Sequence, residues 1–247
     1  MAVKVVLSDW NGTLIQYRNE MCVLEGVGLD AFRSCIPFHP MRALRILRAR
    51  GRLQAIRRQG RPETDFRFIK DMFDVFNSMV ISGVPTAVVL ASFDRYARSI
   101  ETQSRLDLRL LRVIKECHDA GKTTGILSAG YRYGIEKVLC VAGYWQYFDF
   151  CEADEFTSEG GKVVEFRLNI YRNKPAVLQR LLAERSIESA EAAYIGDSED
   201  DEGCLEMVGH PVVAFFAPDE FKEECSRKYG AFVPDSEVSL RDYLLHA

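Results

Sequence analysis

The most constraining feature of the sequence is an alternation of short apolar runs with amphipathic segments, which continues from about residue 105 to the end. The apolar runs have the length and composition of buried strands, and the segments between them have the spacing of helices. The predicted strands are 3–7, 123–127, 148–151, 192–195, 212–216 and a short one at 232, and the predicted helices are 108–118, 135–142, 175–184, 204–208 and 221–228. Such an alternation is typical of a doubly wound parallel sheet, so the sequence predicts an α/β fold.

Residues 16–104 interrupt this alternation. They contain long apolar-periodic stretches such as 66–81 and no convincing central strand, so we expect them to form a mostly helical inserted domain. The predicted organisation is therefore an α/β core made of residues 1–15 and 105–247, with residues 16–104 as the insert. A Gly-Gly turn between two β-rich runs further predicts a hairpin at 156–166.

The composition excludes several classes of protein. With 247 residues, 47% of them apolar and 28% charged, the chain has a globular composition. It lacks the run of about 18 apolar residues that a membrane span needs, and its start is too short and too soon acidic for a signal peptide. The seven cysteines include no CxxC pair, which fits neither a disulfide framework nor a zinc site, and the formal charge of −4 is mild. We therefore expect a cytoplasmic protein with reduced thiols and no membrane or nucleic-acid partner.

The insert contains a cluster of basic residues. Eight arginines lie between Arg42 and Arg61. They could form a basic rim that attracts an anionic substrate or partner. A solvated helical face is the favoured interpretation, because clustered charge usually lies on the surface.

The first group of residues with chemical potential is Asp9-Trp10-Asn11-Gly12-Thr13, directly after the first predicted strand. The carboxyl end of a strand is where open α/β sheets bind their ligands, and Gly12 allows a sharp turn beside the carboxylate. A turn with a surface aspartate is the alternative.

The second group is acidic and follows the strand predicted at 192–195. Five carboxylates lie between residues 197 and 202: Asp197, Glu199, Asp200, Asp201 and Glu202. Hard oxygen ligands at this density suit Mg²⁺, which usually takes one or two carboxylates and keeps several waters. An acidic helix start would explain the same residues, because negative side chains favour helix N-termini.

Two smaller groups stand at similar places. Ser128-Ala129-Gly130 follows the strand predicted at 123–127, where a hydroxyl and exposed amides could hold a phosphate oxygen. Lys174 precedes Pro175 at the start of a predicted helix, which is against the preference set by the helix dipole. Taken alone, each would more often be an ordinary turn or surface residue.

In this order and at these places, the four groups resemble the motif set of the haloacid dehalogenase (HAD) superfamily. That set is DxDGT, then Ser or Thr after the second strand, then Lys, then an acidic GDxxxD, which the segment from Gly196 to Asp201 matches directly. The resemblance covers residues 1–15 and about 105–247, and it implies a Rossmann-like core with an inserted helical cap domain. The Ser-Ala-Gly turn, the hairpin ahead of Lys174 and the helical insert are most similar to the phosphoserine phosphatase branch.

The resemblance implies a phosphatase with Asp9 as its nucleophile and Mg²⁺ as its cofactor. Its metal ligands would be Asp9, the backbone carbonyl of Asn11, Asp197, and Asp201 either directly or through water. The residues expected to contact a small phosphorylated substrate are Trp10, Asn11, Ser128, Ala129, Gly130 and Lys174. Lys174 would also balance the carboxylate charge, so it is grouped with Asp9 and Asn11 as catalytic.

Asn11 departs from the family pattern. Phosphatases of this superfamily usually have a second aspartate there, which protonates the leaving group and later activates water, and an amide can do neither. Losing a positioned general acid/base typically lowers the rate by ~10²–10⁴. The alternatives are a slow phosphatase, an enzyme whose substrate has a good leaving group or brings its own acid, and a non-catalytic binding or regulatory protein. Deamidation of the Asn11-Gly12 pair could restore the carboxylate, although packing usually suppresses it.

Overall fold

The computed structural model describes residues 2–16, 21–36, 39–61 and 66–246. The strands of these residues are β1 (Val5–Ser8), β2 (Thr123–Tyr131), β3 (Phe150–Asp154), β4 (Phe156–Glu159), β5 (Lys162–Phe166), β6 (Ala192–Gly196) and β7 (His210–Val213). The α-helices are α1 (Met21–Cys35), α2 (Pro40–Arg57), α3 (Phe66–Val75), α4 (Thr86–Arg98), α5 (Ile100–Ser104), α6 (Leu108–Asp119), α7 (Arg132–Ala142), α8 (Lys174–Glu184), α9 (Glu202–Met207), α10 (Asp219–Tyr229) and α11 (Glu237–His246). A π-helical segment, Phe76–Ile81, follows α3. In these four ranges, no helix has both the length and the apolar character that a membrane crossing requires.

Five strands form one parallel sheet in the order β3-β2-β1-β6-β7. Val5 of the central strand β1 is in register with Thr123 of β2 and with Ala192 of β6. Because all five strands are parallel, their carboxyl ends lie at the same edge of the sheet. The predicted α/β fold with a parallel sheet is therefore confirmed.

The central strands are fully buried, which explains their continuous apolar sequences. Every residue of β1 and β6 is buried, as in parallel sheets that are covered on both faces. On one side of the central strand β1 lie β2 and then β3, and on the other side lie β6 and then β7. Since parallel crossovers are right-handed, α6 and α7 lie on one face and α8 and α9 on the other. Leu7, Tyr194 and Val213 pack with Leu178 and Leu205 in the hydrophobic core under α8 and α9.

Three elements at the end of the chain differ from the sequence prediction. The strand predicted at 212–216 is β7, which begins at His210 and ends at Val213. The short strand predicted at 232 is only an isolated bridge from Phe232 to Val212. Pro234 follows closely and has no N–H for a ladder, which limits pairing there. The sequence analysis proposed no element at α11, whose start is marked by the Ser236 hydroxyl accepting a hydrogen bond from Ser239 N (3.1 Å).

The chain divides into two compact units. The first contains the five-stranded sheet and comprises residues 1–20, 97–154 and 168–247. The second comprises residues 21–96 and 155–167, so it combines the helices that follow β1 with the β4–β5 hairpin. The domain boundaries proposed from the sequence stay a prediction.

Within the second unit, the hairpin is held by a side chain of the π-helical segment. Asn77 Nδ2 donates to Phe166 O (2.9 Å), and Asn77 Oδ1 accepts from Phe166 N (2.8 Å). The Phe166 ring also packs against Phe76 and Phe93, with ring centroids 5.6 and 6.3 Å away. The hairpin is thus an integral part of this unit although it is far from its helices in sequence.

Candidate active site

Two neighbouring strands bring the first and last acidic groups together. Asp9 directly follows β1, and Asp197 directly follows β6. Asp9 N donates to Ile195 O (2.9 Å), which continues the β1–β6 ladder for one residue beyond the strand. The backbone at Asp9 is therefore fixed beside the end of β6, where Asp197 begins the next segment.

The turn after Asp9 is tight because it surrounds the Asp197 carboxylate. Trp10 O accepts hydrogen bonds from the amides of Leu14 and Ile15, both at 3.0 Å. Gly12 has φ +78°, and a Cβ at this position would lie 2.1 Å from Asp197 Oδ2. Only glycine fits such a position, both for its backbone and for its close approach to the carboxylate. Thr13 Oγ1 donates to Asp197 Oδ1 (3.1 Å), so this turn also orients the carboxylate.

Asp201 is fully buried and accepts three hydrogen bonds. Its Oδ1 accepts from Lys174 Nζ (2.6 Å) and from the Tyr194 hydroxyl (2.8 Å). Its Oδ2 accepts from Asp197 N (3.1 Å). A Cβ on Gly196 would lie 2.5 Å from Asp201 Cβ, so glycine is required for this approach too. Asp201 therefore connects α8, β6 and the backbone of Asp197.

Lys174 supplies the positive charge of the cluster. It is buried at the start of α8. Pro175 follows in the first turn, where backbone N–H groups have no partner within the helix, so the N–H that proline lacks costs no helical hydrogen bond. Its Nζ lies 3.0 Å from Asp9 Oδ1 as well as 2.6 Å from Asp201 Oδ1. Burial alone would lower the pKa of Lys174, but the carboxylates of Asp201 and Asp9 raise it above its ordinary value. Lys174 is thus a permanent ammonium shared by two carboxylates.

The carboxylates carry more negative charge than Lys174 can balance. Burial raises the pKa of Asp9 to about 6, with Lys174 acting against this rise and Asp201 adding to it. Burial also raises the pKa of Asp197 to about 8, and the charges of Asp201 and Asp9 contribute in the same direction. A cation among these carboxylates would relieve the repulsion that adds to the effect of burial on both pKa values.

The donor set suits a hard divalent cation. Carboxylate oxygens of Asp9, Asp197 and Asp201 all lie within 4.8 Å of one another. Asp9 Oδ1 is buried and has no hydrogen-bond partner among the described residues, although Lys174 is close enough for an ion pair. Three carboxylates that converge in a buried site with a single ammonium between them offer the hard oxygen ligands of a Mg²⁺ site, so the residues present fit this ion.

The remaining predicted residues lie around this cluster. Ser128 is buried in β2, and its Oγ accepts a hydrogen bond from Gly130 N (3.1 Å). The strand predicted to end at residue 127 is β2, which continues to Tyr131 with an irregularity after Ser128. Because Ser8 of β1 is in register with Ile126, the segment from Ser128 to Gly130 is the carboxyl end of β2, at the same edge of the sheet as Asp9. The Trp10 side chain is 1% exposed and lies in the core, whereas Asn11 is half-buried. The structure therefore brings Asp9, Lys174, Asp197 and Asp201 into direct contact and places the carboxyl end of β2, with Ser128, at the same edge of the sheet.

Comparison with known proteins identifies the family. A family model described as haloacid dehalogenase-like hydrolase matches residues 6–206, a range that contains the whole cluster. The chain belongs to this family. The family resemblance and the hydrolase class predicted from the four motifs are thereby confirmed. No curated protein matches the sequence significantly.

Solved structures share the fold of this HAD-family hydrolase at low sequence identity. A HAD-family hydrolase from Salmonella enterica serovar Typhi is 19% identical with a TM-score of 0.62, over 99% of this chain and 72% of the other. A protein of unknown function from Bordetella pertussis is 15% identical with a TM-score of 0.64, over 95% and 99%. A substrate-bound phosphoserine phosphatase is 16% identical with a TM-score of 0.60, over 99% and 98%. At these identities the likeness concerns the fold.

Sequence reasoning missed two residues that hydrogen-bond to the acidic cluster, Thr13 and Tyr194. Thr13 lies within the first motif, but only the fold shows that its hydroxyl reaches Asp197. Tyr194 lies in β6, where a hydroxyl in an otherwise apolar buried strand was the available signal. Because successive side chains of a strand point to opposite faces of the sheet, the position of Tyr194 in β6 could have assigned it to the face that Asp201 covers.

The structure also bears on deamidation at Asn11. Ring closure requires the Gly12 amide nitrogen to attack the Asn11 side chain. Gly12 N instead donates a hydrogen bond to Ile15 O (2.8 Å), and Asp197 fills the space beside Gly12. Packing of this turn therefore disfavours conversion of Asn11 to aspartate.

Proposed function

We propose that this protein is a Mg²⁺-dependent phosphatase that acts on a small phosphomonoester through an aspartyl-phosphate at Asp9. The observation that carries this proposal is the buried Asp9 carboxylate, placed at a strand end, 3.0 Å from Lys174 and within 4.8 Å of two further carboxylates. An anionic nucleophile needs positive charge around it before it can attack an anionic phosphate. Membership of a hydrolase family supports the same chemistry.

In the first step, a carboxylate oxygen of Asp9 attacks phosphorus, and the bond from phosphorus to the ester oxygen breaks. The leaving alkoxide takes a proton from water and leaves hydroxide, because the Asn11 amide is too weak an acid to give one. In the second step, water attacks the aspartyl-phosphate and gives up a proton that neutralises this hydroxide, the bond between Asp9 and phosphorus breaks, and inorganic phosphate leaves. Splitting the transfer in this way replaces one difficult displacement with two easier ones.

The residues that would hold Mg²⁺ are Asp9, the backbone carbonyl of Asn11, Asp197, and Asp201 directly or through water. When bound, Mg²⁺ neutralises charge on the phosphoryl oxygens and on Asp9. Lys174 makes a second contribution: its ammonium, already held by Asp9 and Asp201, binds a phosphoryl oxygen and limits the negative charge of the pocket.

The Ser128-Ala129-Gly130 segment at the carboxyl end of β2 is the proposed phosphate-binding segment. The Ser128 hydroxyl, whose oxygen accepts from Gly130 N, is proposed to donate its own proton to a phosphoryl oxygen, which binds it without adding charge. The backbone of Trp10 and Asn11 is proposed to complete the contact. The fold likeness to a phosphoserine phosphatase supports a small phosphorylated substrate, and a cytoplasmic location belongs to the same proposal.

A second function is favoured by one residue. With an amide at Asn11, the same pocket could bind a phosphorylated ligand, or remain phosphorylated at Asp9, without rapid turnover. Such a protein would act as a binding or regulatory component on a HAD fold. The presence of Asp9, Lys174 and the acidic cluster in direct contact favours catalysis, because binding alone does not need a nucleophile.

Phosphate release from a panel of phosphomonoesters with Mg²⁺ tests the proposal, with wild type, Asp9→Asn and Asn11→Asp side by side. We expect measurable turnover by wild type and none by Asp9→Asn, which lacks the nucleophile. Asn11→Asp should raise turnover by ~10²–10⁴, because it restores a general acid and base. Acid quenching should trap phosphate on wild-type Asp9.

Asp219→Asn is the matched control, because the side chain of Asp219 is 94% exposed and distant in sequence from every site residue. Its turnover should equal that of wild type. If wild type is silent and only Asn11→Asp turns over, the binding or regulatory function is the correct one. Equal turnover by wild type and Asp9→Asn would refute the aspartyl-phosphate.

A further inference from the structure

The buried hydroxyl of Tyr194 is a polar atom that the proposed reaction does not use. Tyr194 is fully buried in β6 and packs in the hydrophobic core with residues such as Leu178 and Leu205. Its hydroxyl donates to Asp201 Oδ1 (2.8 Å) and lies 3.4 Å from Leu127 O. A hydroxyl in such a core is unfavourable unless it is hydrogen-bonded, and phenylalanine would pack there without this penalty. We therefore look for the role of this hydroxyl in its hydrogen bond to Asp201.

That partner, Asp201, has nearly all of its acceptor capacity engaged by the protein. Oδ1 has two lone pairs, and they are taken by Lys174 Nζ at 2.6 Å and by Tyr194 at 2.8 Å. Oδ2 accepts from Asp197 N at 3.1 Å. Because three donors bind it, the Asp201 carboxylate is held in one orientation. In that orientation it holds the backbone of Asp197 and the ammonium of Lys174 in place.

We propose that Tyr194 is a positioning residue of this site, whose hydroxyl orients the Asp201 carboxylate and, through it, the backbone of Asp197 and the Lys174 ammonium. The proposal rests on the function proposed above, because it concerns the residues that would hold Mg²⁺. Tyr194 touches neither the metal nor the phosphate in this scheme. It acts from β6, whereas the Lys174 ammonium reaches the same carboxylate oxygen from the start of α8.

Removing the hydroxyl leaves the ring in place and frees one side of Asp201. In Tyr194→Phe, Lys174 is the donor that Oδ1 keeps among the residues the structure describes, so the carboxylate can turn toward Lys174 and loosen its bond to Asp197 N. Partners that orient metal ligands typically change metal affinity 10- to 100-fold when they are lost. For this single neutral hydroxyl, we expect Mg²⁺ binding about 10-fold weaker than in wild type.

Calorimetric titration with MgCl₂ alone, without substrate, measures this effect. The variants are Tyr194→Phe, Asp201→Asn and the double variant, with the melting temperature of each recorded as a check of folding. Tyr229→Phe is the matched control, because its hydroxyl also donates to a carboxylate, Glu202 Oε2 at 3.1 Å, outside the cluster. Tyr194→Met, which also lacks the hydroxyl and adapts its shape to the core, replaces the Phe variant if that variant does not fold.

We expect Tyr194→Phe to bind Mg²⁺ about 10-fold more weakly and Tyr229→Phe to bind as wild type does. In the Asp201→Asn background, the Tyr194 substitution should add less than about twofold, because Tyr194 acts only through that carboxylate. Unchanged Mg²⁺ affinity in Tyr194→Phe, or a full 10-fold effect on top of Asp201→Asn, overturns the proposal. Absence of Mg²⁺ binding in wild type refutes the metal site itself, and with it this role of Tyr194.

Discussion

Asp154 is a second buried carboxylate, placed at the end of β3 and separate from the acidic cluster. Its Oδ1 accepts from the amides of Asn169 (2.6 Å) and Ile170 (3.1 Å), which joins the two points where the chain enters and leaves the hairpin segment. Its Oδ2 is buried with no hydrogen-bond partner among the described residues. Burial raises the pKa of Asp154 to about 7, and the two amide hydrogen bonds act against this rise.

This raised pKa makes the stability of the protein depend on pH. Between an unfolded value near 3.8 and a folded value of about 7, the folded state holds a proton that the unfolded state has lost. The contribution of Asp154 to stability is therefore complete below pH 4, falls as the pH rises to about 7, and is constant above that value. Asp154→Asn keeps an oxygen acceptor for both amides and removes the charge. At pH 8 we expect its free energy of unfolding to exceed that of wild type by on the order of 2 kcal/mol.

Urea unfolding of both proteins at pH 4.5 and pH 8 measures this difference, which should nearly vanish at the lower pH. Asp149→Asn is the control, because the Asp149 carboxylate also accepts a backbone hydrogen bond, from Thr124 N at 2.7 Å, but its side chain is 44% exposed. Because water solvates the charge of Asp149, we expect Asp149→Asn to have the same free energy of unfolding as wild type at pH 8. A wild-type protein that is more stable than Asp154→Asn at pH 8 would contradict the prediction.

Individual site residues could be predicted where local sequence alone marks them. Asp9 and Asp197 each follow a recognisable buried strand, and Lys174 stands at a helix start where its charge is unfavourable. Asp154 also ends a strand, but its partners at Asn169 and Ile170 lie beyond the hairpin, so nothing near it in sequence shows that it is buried. Residues whose environment is built by distant segments could not be predicted from the sequence.

At the scale of elements, the arginine-rich helix α2 has two kinds of arginine. Arg42 donates from Nη1 to Gly83 O (2.6 Å) and from Nη2 to Ser82 O (2.5 Å), and Arg45 reaches Ser82 O at 3.3 Å. These carbonyls follow the π-helical segment Phe76–Ile81 and would otherwise lack a helical partner. Arg48, in contrast, is exposed and has no ion pair within the described ranges. The segment is therefore partly structural and partly a solvated face.

Arg42→Ala should destabilise the second unit by roughly 2 kcal/mol, because it removes two hydrogen bonds from a charged donor and leaves half-buried carbonyls unpaired. Thermal or urea unfolding measures the loss. Arg48→Ala is the matched control on the same helix and should lie within about 0.5 kcal/mol of wild type. Equal stabilities of the two variants would show that Arg42 is no more structural than the exposed arginines.

The π-helical segment illustrates what a periodic pattern cannot predict. The sequence pattern at 66–81 indicated one continuous apolar-periodic stretch, and the structure has α3 followed by a π-helix over Phe76–Ile81. The change of period places Asn77 where its amide pairs with Phe166 of the hairpin in both directions. A change of helix type that depends on such a tertiary contact leaves no mark in local propensity.

At the scale of the whole molecule, charge is unevenly distributed. The formal charge of −4 is mild, yet the buried cluster sets three carboxylates against one ammonium. Burial is the main cause of the raised pKa values of Asp9 and Asp197, and repulsion from the charges of the neighbouring carboxylates adds to it. Bound Mg²⁺ would remove this repulsion in the folded state only, because the unfolded chain separates the three carboxylates. The stability of the whole protein is thereby linked to Mg²⁺ and to pH.

Mg²⁺ should therefore raise the melting temperature, and should do so more at pH 8 than at pH 6. At pH 6 protons compete for Asp9, whose pKa is about 6, and for Asp197, whose pKa is about 8, whereas at pH 8 this competition is weaker. A ligand at 100 times its Kd stabilises by about 2.7 kcal/mol, which corresponds to a rise of about 5–10 °C for a chain of this size. Differential scanning calorimetry with MgCl₂, against KCl at equal ionic strength, measures the shift, and Asp197→Asn should lose most of it. An equal shift at both pH values, or a shift that survives in Asp197→Asn, would place the bound ion elsewhere, because the titration of Asp9 and Asp197 is what makes binding at this cluster depend on pH.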